Sequence, residues 1–467
     1  MPGWGWTGIY FRGCIWEQER LLSKKFTFRG GIHPAHCKSQ TERLKIEDFP
    51  APAVAVIPLS QHIGAPAKPL VARGDRVLVG QLIGEPVGNV SAAVHSSISG
   101  TVLSVRSFAH PSGRLVNSVE IENDGADEAV PFEPVEQPWR EAAPGELVRK
   151  IAACGIVGMG GASFPTHVKL SPPTHKPIDT LLINGAECEP YLTDDHRIMV
   201  ERTEDILTGA LIIKKILGAK NAFFGIEDNK QDAVNAVYDK LIGSRFEGIT
   251  LVVLKSKYPQ GGEKSLITAI TGRKVPSGGL PMDTGCVVHN VSTALAVCEA
   301  VMKGIPLYQR VVTVMGTDVK SPKNLMTRIG TPVRALLDAC GVDLNAAKKI
   351  VMGGPLMGIA LSDLDVPVVK STSGLLSLNQ VTEAVRKYPC INCGICVRSC
   401  PIRLIPSRLA KFVEKENFED ALKWNLMDCM ECGSCTYMCP AKINLVQYFK
   451  LGKMKVQAMR AAQKKAG

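Results

Sequence analysis

Three times in the middle of the chain, a short and nearly continuous apolar run gives way to a polar turn and a helical pattern. The runs fall near 180–183 in "DTLLINGAECEP", 222–226 in "NAFFGIEDNK" and 250–254 in "ITLVVLKSKYPQGGEKSLITAI". Uninterrupted apolar runs of this length suit strands covered on both faces. Strands alternating with helices predict a parallel, Rossmann-like α/β sheet. Ligands bind such sheets beyond the carboxyl ends of the strands. Here those ends carry Asn184, Glu187 and Glu189, then Glu227 and Asp228, then Tyr258, Gly261, Gly262 and Glu263.

Upstream the pattern is β-rich and punctuated by glycine. "VARGDRVLVGQLIGEPVGNVSAAVHSSISGTVLSV" contains G-D-x-V-x-x-G-Q followed by S-G-T-V, the pattern of a lipoyl- or biotinyl-type barrel sandwich. A covalently carried group needs a nucleophilic lysine at the hairpin tip, and the tip region reads "VHSSIS". A carrier role is therefore not expected, and the barrel is read as structural or as a docking surface. A further β-rich piece lies near 308–375.

Composition narrows the class. The chain has 467 residues, enough for about three domains, with 45% apolar and 21% charged residues. Its apolar, charge-free stretches, 50–67, 86–105 and 151–168, are broken by Gly, Pro, Ser or His, so none reads as a membrane span. "MPGWGWTGIYFRGCIWEQER" lacks the continuous apolar core of a secretory signal, and residues 1–25 read as a poorly ordered leader. A formal charge of +11 suits nucleic acid, anionic lipid or an acidic protein. Without zinc-finger spacing or a basic–aromatic RNA motif, nucleic acid is not expected.

Fifteen cysteines in a chain without a secretory signal argue for metal chemistry rather than disulfides. Eight form two runs of C-x2-C-x2-C-x3-C-P, "CINCGICVRSCP" and "CMECGSCTYMCP". In this run the fourth cysteine ligates the other cluster of a two-cluster ferredoxin. Cys390, Cys393, Cys396 and Cys439 are thus expected to hold one [4Fe–4S] cluster. Cys429, Cys432, Cys435 and Cys400 are expected to hold the second. Closely spaced thiolates line a tight loop around three iron corners, and the proline turns the chain away. Zinc also takes C-x2-C pairs, but the doubled run with both prolines favours clusters. The scattered cysteines 14, 37, 154, 188, 286, 298 and 340 read mostly as small buried apolar residues.

"GMGGASFPT", 158–166, packs three glycines into four positions, so its backbone must pass close to something. It is neither a phosphate loop nor G-x-G-x-x-G in a strand-to-helix turn. With "NGAECEP", "YPQGGE" and "VHNVSTALA" in this order, it resembles the NADH-binding flavoprotein subunit of respiratory complex I. The resemblance implies that these segments surround FMN and NAD(H). Gly158, Gly160, Gly161 and Phe164 match the glycine loop, and Lys169 the basic residue after it. Asn184, Glu187 and Glu189 match the polar group after the first strand. Tyr258, Gly261 and Glu263 match the second glycine turn, and His289 and Asn290 match an Asn-Asn pair. The chain departs from the family at His289, at Met159 in place of Arg, and at Ala186 and Gly262 in place of acids.

Over essentially the whole chain, this order of parts resembles the RnfC family, a subunit of the Rnf-type ion-translocating electron transport complexes. "GGIHP", "IPLSQHIG", "VHSSISGTV" and "MGGPLMG" fit that family. The implied organisation is the leader, a barrel sandwich over 26–135 and an FMN/NAD(H)-binding α/β domain over 136–305. A soluble-ligand-binding β-grasp unit over 306–375 and a helical double-[4Fe–4S] module over 376–467 follow, the last with a basic C-terminal helix. The β-grasp unit is read as a spacer between flavin and clusters. The implied activity is that of a translocase-type ferredoxin:NAD+ oxidoreductase coupled to Na+ or H+ transport. No side chain is expected to act as a catalytic acid or base, since the cofactors carry the redox chemistry. The implied partners are membrane subunits and a ferredoxin-like iron–sulfur subunit, with ferredoxin reached indirectly. The implied location is peripheral, on the cytoplasmic face of the bacterial inner membrane. Rival readings are a soluble NADH-dependent reductase of cobalamin or ferredoxin, and a noncatalytic cluster scaffold. Finally, 441–467 has seven Lys or Arg and no acid, which suits an anionic lipid surface or an acidic subunit face.

Overall fold

A computed structural model describes residues 23–242, 246–380 and 388–466. All but the last three residues of the expected leader lie outside that range.

The central sheet has five parallel strands, in the spatial order Lys25–Phe26, Thr250–Leu254, Asn221–Glu227, Thr180–Gly185, Cys286–Asn290. The three strands expected from the apolar runs are present, and Leu181, Leu182 and Ile183 are fully buried. Helices Thr203–Leu217, Gln231–Ile242, Glu263–Thr271 and Val291–Lys303 follow strands or flank them. The helix Val291–Lys303 packs with Thr203–Leu217, where Gly209 lets the two backbones approach: a Cβ there would lie 1.8 Å from Ala294 O.

Two small sheets form the barrel sandwich. One orders Val54–Pro58, Leu115–Asn123, Gly100–Ala109 and Arg76–Val77; the other orders Lys68–Pro69, Leu82–Glu85 and Val94–His95. The "VHSSIS" segment is buried throughout, and Ser97 Oγ donates to Ile329 O at 2.5 Å. A swinging carrier tip needs exposure, so burial agrees with the missing lysine. A six-stranded mixed sheet runs Ile359–Ala360, Lys349–Met352, Gly374–Leu378, Gln309–Gly316, Lys323–Arg328, Ile46–Asp48. Its core joins Val312, Val314, Leu325, Ile350 and Leu375 to Leu336 and Leu337 of the helix Val333–Ala339.

Pairings cross two of the expected limits. The first described residues do not join the barrel: Lys25–Phe26 pairs with Thr250–Leu254, and Ile46–Asp48 pairs with Lys323–Arg328. The barrel's first strand is Val54–Pro58. The expected limit at 375 cuts the strand Gly374–Leu378, which is bonded on both sides within the mixed sheet. These pairings join segments remote in sequence, which local periodicity does not report. Lys370 ties the three units together. Its fully buried ammonium donates to Ala93 O and Gly155 O, both at 2.7 Å, and burial without a carboxylate partner lowers its pKa to about 7.

Short helices build the C-terminal module: Ile395–Ser399, Pro406–Glu414, Phe418–Lys423, Ser434–Tyr437 and the long Leu445–Ala466. Leu409, Leu426, Leu445 and Phe449 form its core with the cysteine loops. Of the scattered cysteines, Cys154, Cys286, Cys298 and Cys340 are buried as expected, Cys188 is half-buried and Cys37 is exposed; Cys14 lies outside the described residues.

Candidate redox site

The two cysteine runs fold alike. Asn392, Gly394 and Arg403 are left-handed (φ 56°, 71° and 60°), and so are Glu431, Gly433 and Lys442 (φ 56°, 79° and 53°) at the same offsets from the first cysteine. Left-handed residues curl the chain tightly enough to aim consecutive groups inward. Each loop then lends its fourth cysteine to the other. Cys400 lines one cavity with Cys429, Cys432 and Cys435, and Cys439 lines a second with Cys390, Cys393 and Cys396. In the first cavity, backbone N–H groups of Leu404 and Glu431 donate to Cys400 Sγ and Cys429 Sγ at 3.3 and 3.4 Å. Burial pushes the Cys429 thiol up to about 12 and also raises Cys400, Cys432 and Cys435. Iron ligation supplies the positive charge that such buried thiolates require. The four-thiolate donor set fits a cluster in each cavity, and in the first the backbone donors fit it too.

The glycine loop closes on itself. Gly158 N–H donates to Phe164 O at 2.8 Å, Val157 bridges Pro165, and the helix Thr166–Lys169 follows. Gly160 is left-handed (φ 74°), and a Cβ on it would lie 2.6 Å from Asn290 Nδ2. Gly161 faces open space, with nothing within 4 Å of a built Cβ. Lys169 Nζ pairs with Glu263 Oε1 at 2.7 Å, the side chains 25% and 40% exposed, so both stay within reach of a ligand. On the same segments Thr166 Oγ1, both amide atoms of Gln260, Ser265 Oγ and His289 Nε2 are buried without a protein partner. Buried polar atoms normally find partners. Their orphaned state, with the open face of Gly161, fits a polar cofactor in this loop cluster. Burial, and Lys169 nearby, hold the His289 imidazole neutral by lowering its pKa well below the usual value.

Other expected residues are already committed within the protein. Asn184 Nδ2 donates to Gly261 O (2.9 Å), and its Oδ1 accepts from Ala186 N–H (3.2 Å). Glu187 forms a buried ion pair with Lys38 (3.1 Å) and accepts from His196 N–H (3.1 Å). Asn290 caps the helix Val291–Lys303 through Ser292 N–H (2.7 Å) and donates to Asp195 (2.6 Å). Burial pushes the Asp195 carboxyl up to about 6. Glu189 binds a loop of the mixed-sheet unit, and the Tyr258 phenol donates to Cys432 O at 2.7 Å. Gly261 lies under Asn184, and a Cβ on Gly262 would lie 2.5 Å from Met430 Cε, so this turn seats the second cysteine run, whose cavity (Cys400, Cys429, Cys432 and Cys435) is the inner one.

Sequence reasoning missed Lys38, Asp195, Leu356 and the pair Gly30–Gly31. Gly31 N–H donates to Ser399 O (2.8 Å), and a Cβ on Gly30 would lie 2.5 Å from Cys400 O. The glycine pairs in "GGIHP" and "MGGPLMG" were the available signal, since such pairs mark close backbone approach.

A glycine loop on a parallel sheet, packed on a module with two four-cysteine cavities, defines an iron–sulfur flavoprotein. Comparison with known proteins agrees part by part. Residues 26–126 match the RnfC barrel sandwich hybrid domain, and 151–299 the Nuo51 FMN-binding domain. Residues 311–360 match the SLBB domain, and 389–443 the 4Fe-4S dicluster domain. The chain is 47% identical over 427 residues to the C subunit of the proton-translocating ferredoxin:NAD(+) oxidoreductase complex of Clostridium ljungdahlii, covering 91% of this chain and 93% of that protein. It is 44% identical over 443 residues to the C subunit of the Na(+)-translocating complex of Acetobacterium woodii, covering 94% and 98%. The C subunit of the ion-translocating oxidoreductase complex of Rhodobacter capsulatus is 45% identical over 438 residues, covering 93% and 84%. Among solved structures, a chain of the NAD+-reducing [NiFe]-hydrogenase in its H2-reduced state shares the fold, with TM-score 0.50 and 18% identity over 68% of this chain and 63% of that one. The chain belongs to the RnfC family, the C subunits of ion-translocating ferredoxin:NAD(+) oxidoreductase complexes.

Proposed function

We propose that this chain is the peripheral NAD(H)-facing subunit of a membrane-bound, translocase-type ferredoxin:NAD+ oxidoreductase that moves Na+ or H+. The observation that carries the reading is contact: the inner cysteine cavity packs directly on the flavin-domain turn through Met430 on Gly262 and Tyr258 on Cys432. When bound, FMN supplies two-electron exchange with NAD(H) and one-electron exchange with a cluster. The protein's part is to hold, orient and seal. Gly158, Gly160, Gly161 and Phe164 shape the loop that admits the flavin and nicotinamide, and the Lys169–Glu263 pair borders it. Neutral His289 offers an uncharged hydrogen bond. The polar groups of Asn184, Glu187 and Asn290, committed internally, hold the loops in register.

The outer cavity of Cys390, Cys393, Cys396 and Cys439 suits exit to a one-electron partner. Ile391 is exposed on its lining and Tyr388 is exposed beside it, its N–H on Ala441 O, while exposed Arg398 donates to Cys393 O and exposed Lys442 donates its N–H to Cys439 O. An apolar surface with a basic rim fits the acidic face of a ferredoxin-like subunit. Among the described residues no helix is long and apolar enough to cross a membrane. A place on the cytoplasmic face, held by membrane subunits, follows from the proposed partnership.

The test is anoxic purification with cofactor counting, then NADH addition. About eight irons and one noncovalent FMN per chain are expected, followed by bleaching of the flavin and reduction of both clusters. Iron near half that value with all eight cysteines intact would refute two clusters. Clusters without flavin bleaching would leave a scaffold, and full NADH-linked turnover without membrane subunits would favour a soluble reductase.

The basic tail gives a separate prediction. Leu445, Val446, Phe449 and Val456 of the helix Leu445–Ala466 are buried, whereas Leu451, Met454 and Met459 are exposed beside Lys450, Lys455 and Arg460. A cut after Val446 would strip Phe449 and Val456 from the core, so the clean deletion is 458–467. It is expected to retain iron and flavin but weaken membrane co-sedimentation at low salt, by about 1 kcal/mol per removed charge near an anionic surface. Unchanged, salt-insensitive association would leave the helix only a packing role.

A further inference from the structure

The segment 353–358 belongs to the mixed-sheet unit but lies against the cysteine module. The strand Lys349–Met352 delivers it, and Gly353 turns it (φ 93°), donating its N–H to Gly374 O at 2.7 Å. Its other glycines are sterically required. A Cβ on Gly354 would lie 2.3 Å from Glu189 Oε2, and one on Gly358 would lie 2.4 Å from Gly354 O.

Glu189 reaches this segment from the loop after the strand Thr180–Gly185. Its Oε2 accepts the N–H of Leu356 at 3.1 Å, and its Oε1 accepts that of Met357 at 2.8 Å. Each carboxylate oxygen therefore holds one backbone N–H of the segment. Leu356 packs on a buried patch of Ile32, Tyr258 and Cys432. Its carbonyl oxygen lies 3.0 Å from where a Cβ on Gly433 would stand. The Tyr258 phenol donates to Cys432 O at 2.7 Å, with Glu189 Oε1 at 3.4 Å as a weaker second acceptor. Segments from three parts of the chain thus close over one side of the inner cysteine loop.

We propose that Glu189 is a positioning residue that clamps segment 353–358 over the inner cavity, so that Leu356 keeps water from the cluster there and holds its reduction potential down. The inference deepens the two-cluster reading and rests on it. Reduction adds negative charge to a cluster, and water stabilises that charge. Solvent exposure is one of the levers that set cluster potentials. The mixed-sheet unit is then more than a spacer: it supplies the cover.

The experiment uses full-length, anoxically purified protein, with potentials read by redox titration and electron paramagnetic resonance. The inner cluster is identified as the signal lost in Cys400→Ser. Leu356→Ala removes the cover without altering charge, and Glu189→Gln weakens the clamp. In both variants the inner potential is expected to rise, the outer potential to stay, and deuterium-exchangeable couplings to appear at the inner cluster. Amide exchange at Leu356 and Met357 is expected to quicken in Glu189→Gln, a readout that does not depend on the clusters. An unmoved inner potential in Leu356→Ala would overturn the cover. Equal shifts at both clusters, or unchanged amide exchange in Glu189→Gln, would overturn the clamp. A wild-type chain without about eight irons would instead fail the two-cluster reading itself, and the iron count shows this before any variant is made.

Discussion

Exchanging Cys400 for serine is expected to destroy or convert the cluster whose other ligands are Cys429, Cys432 and Cys435. Cys400 stands in the first cysteine run, yet its side chain lines the cavity of the second. It is buried, with the Leu404 N–H directed at its sulfur at 3.3 Å. A serine oxygen is a harder and shorter ligand than a thiolate, so the fourth iron corner loses its anchor. A loss of roughly half the iron is expected, or a changed spectrum for that cluster alone. Cys439→Ser should do the same to the cluster of Cys390, Cys393 and Cys396, since Cys439 lines their cavity. Iron analysis and low-temperature spectroscopy of both variants check the pair together. If Cys400→Ser disturbed the cluster of Cys390, Cys393 and Cys396 and spared the other, the crossed assignment would be wrong.

Gly161→Val is expected to weaken flavin binding at least tenfold, and NADH binding with it, while leaving both clusters and the fold in place. The neighbouring Gly160→Val should also lose flavin, but for a compound reason. Gly160 is left-handed, and its Cβ would collide with Asn290, which caps the helix Val291–Lys303 and bonds Asp195. Strain at such a position costs about 1–3 kcal/mol whatever binds nearby. Gly161 has no such conflict: nothing lies within 4 Å of its built Cβ, and its φ is not left-handed. A valine there meets only what occupies the open face of the loop. Thermal stability near wild type with a fall of tenfold or more in flavin affinity, about 1.4 kcal/mol or greater, is the expected pair of results. Normal flavin content in Gly161→Val would remove this face of the loop from the cofactor site.

How much of this was legible without coordinates follows from the range of each signal. The proposed cluster ligands sit within two runs of twelve residues, and their spacing is itself the signal, so the assignment could be made from the sequence. The three central strands announced themselves by apolar runs, because a strand covered on both faces must be apolar throughout. The strand Cys286–Asn290 was seen only as a motif; it is short and ends in two polar residues. The glycine loop was read as a place of close approach, and its open face at Gly161 agrees with that expectation.

The polar residues after the strands were harder. Sequence marks Glu187 and Glu189 as equivalent neighbours near a ligand site, but their carboxylates go to different parts of the chain. Glu187 meets Lys38, 149 positions away, in a pair that is 3% exposed on each side. Leaving one partner of such a buried pair alone costs about 3–5 kcal/mol, so the pairing fixes the side chain. Glu189 meets the amides of Leu356 and Met357, 167 and 168 positions away.

By itself, then, the sequence determined the chemistry that is local: eight thiolates at ligand spacing, a glycine loop, buried strands, and a basic helix at the end. These are properties of short windows, where spacing and periodicity are complete information. Only the tertiary structure decided how the pieces serve one another. It put the edge strand Lys25–Phe26 on the central sheet, and Ile46–Asp48 on the mixed one. It turned Glu189 from the cofactor loop toward segment 353–358, and set Tyr258 against the inner cysteine loop. The reason is physical: a buried donor or acceptor must find a partner wherever packing places one, and along the chain that partner has no fixed distance.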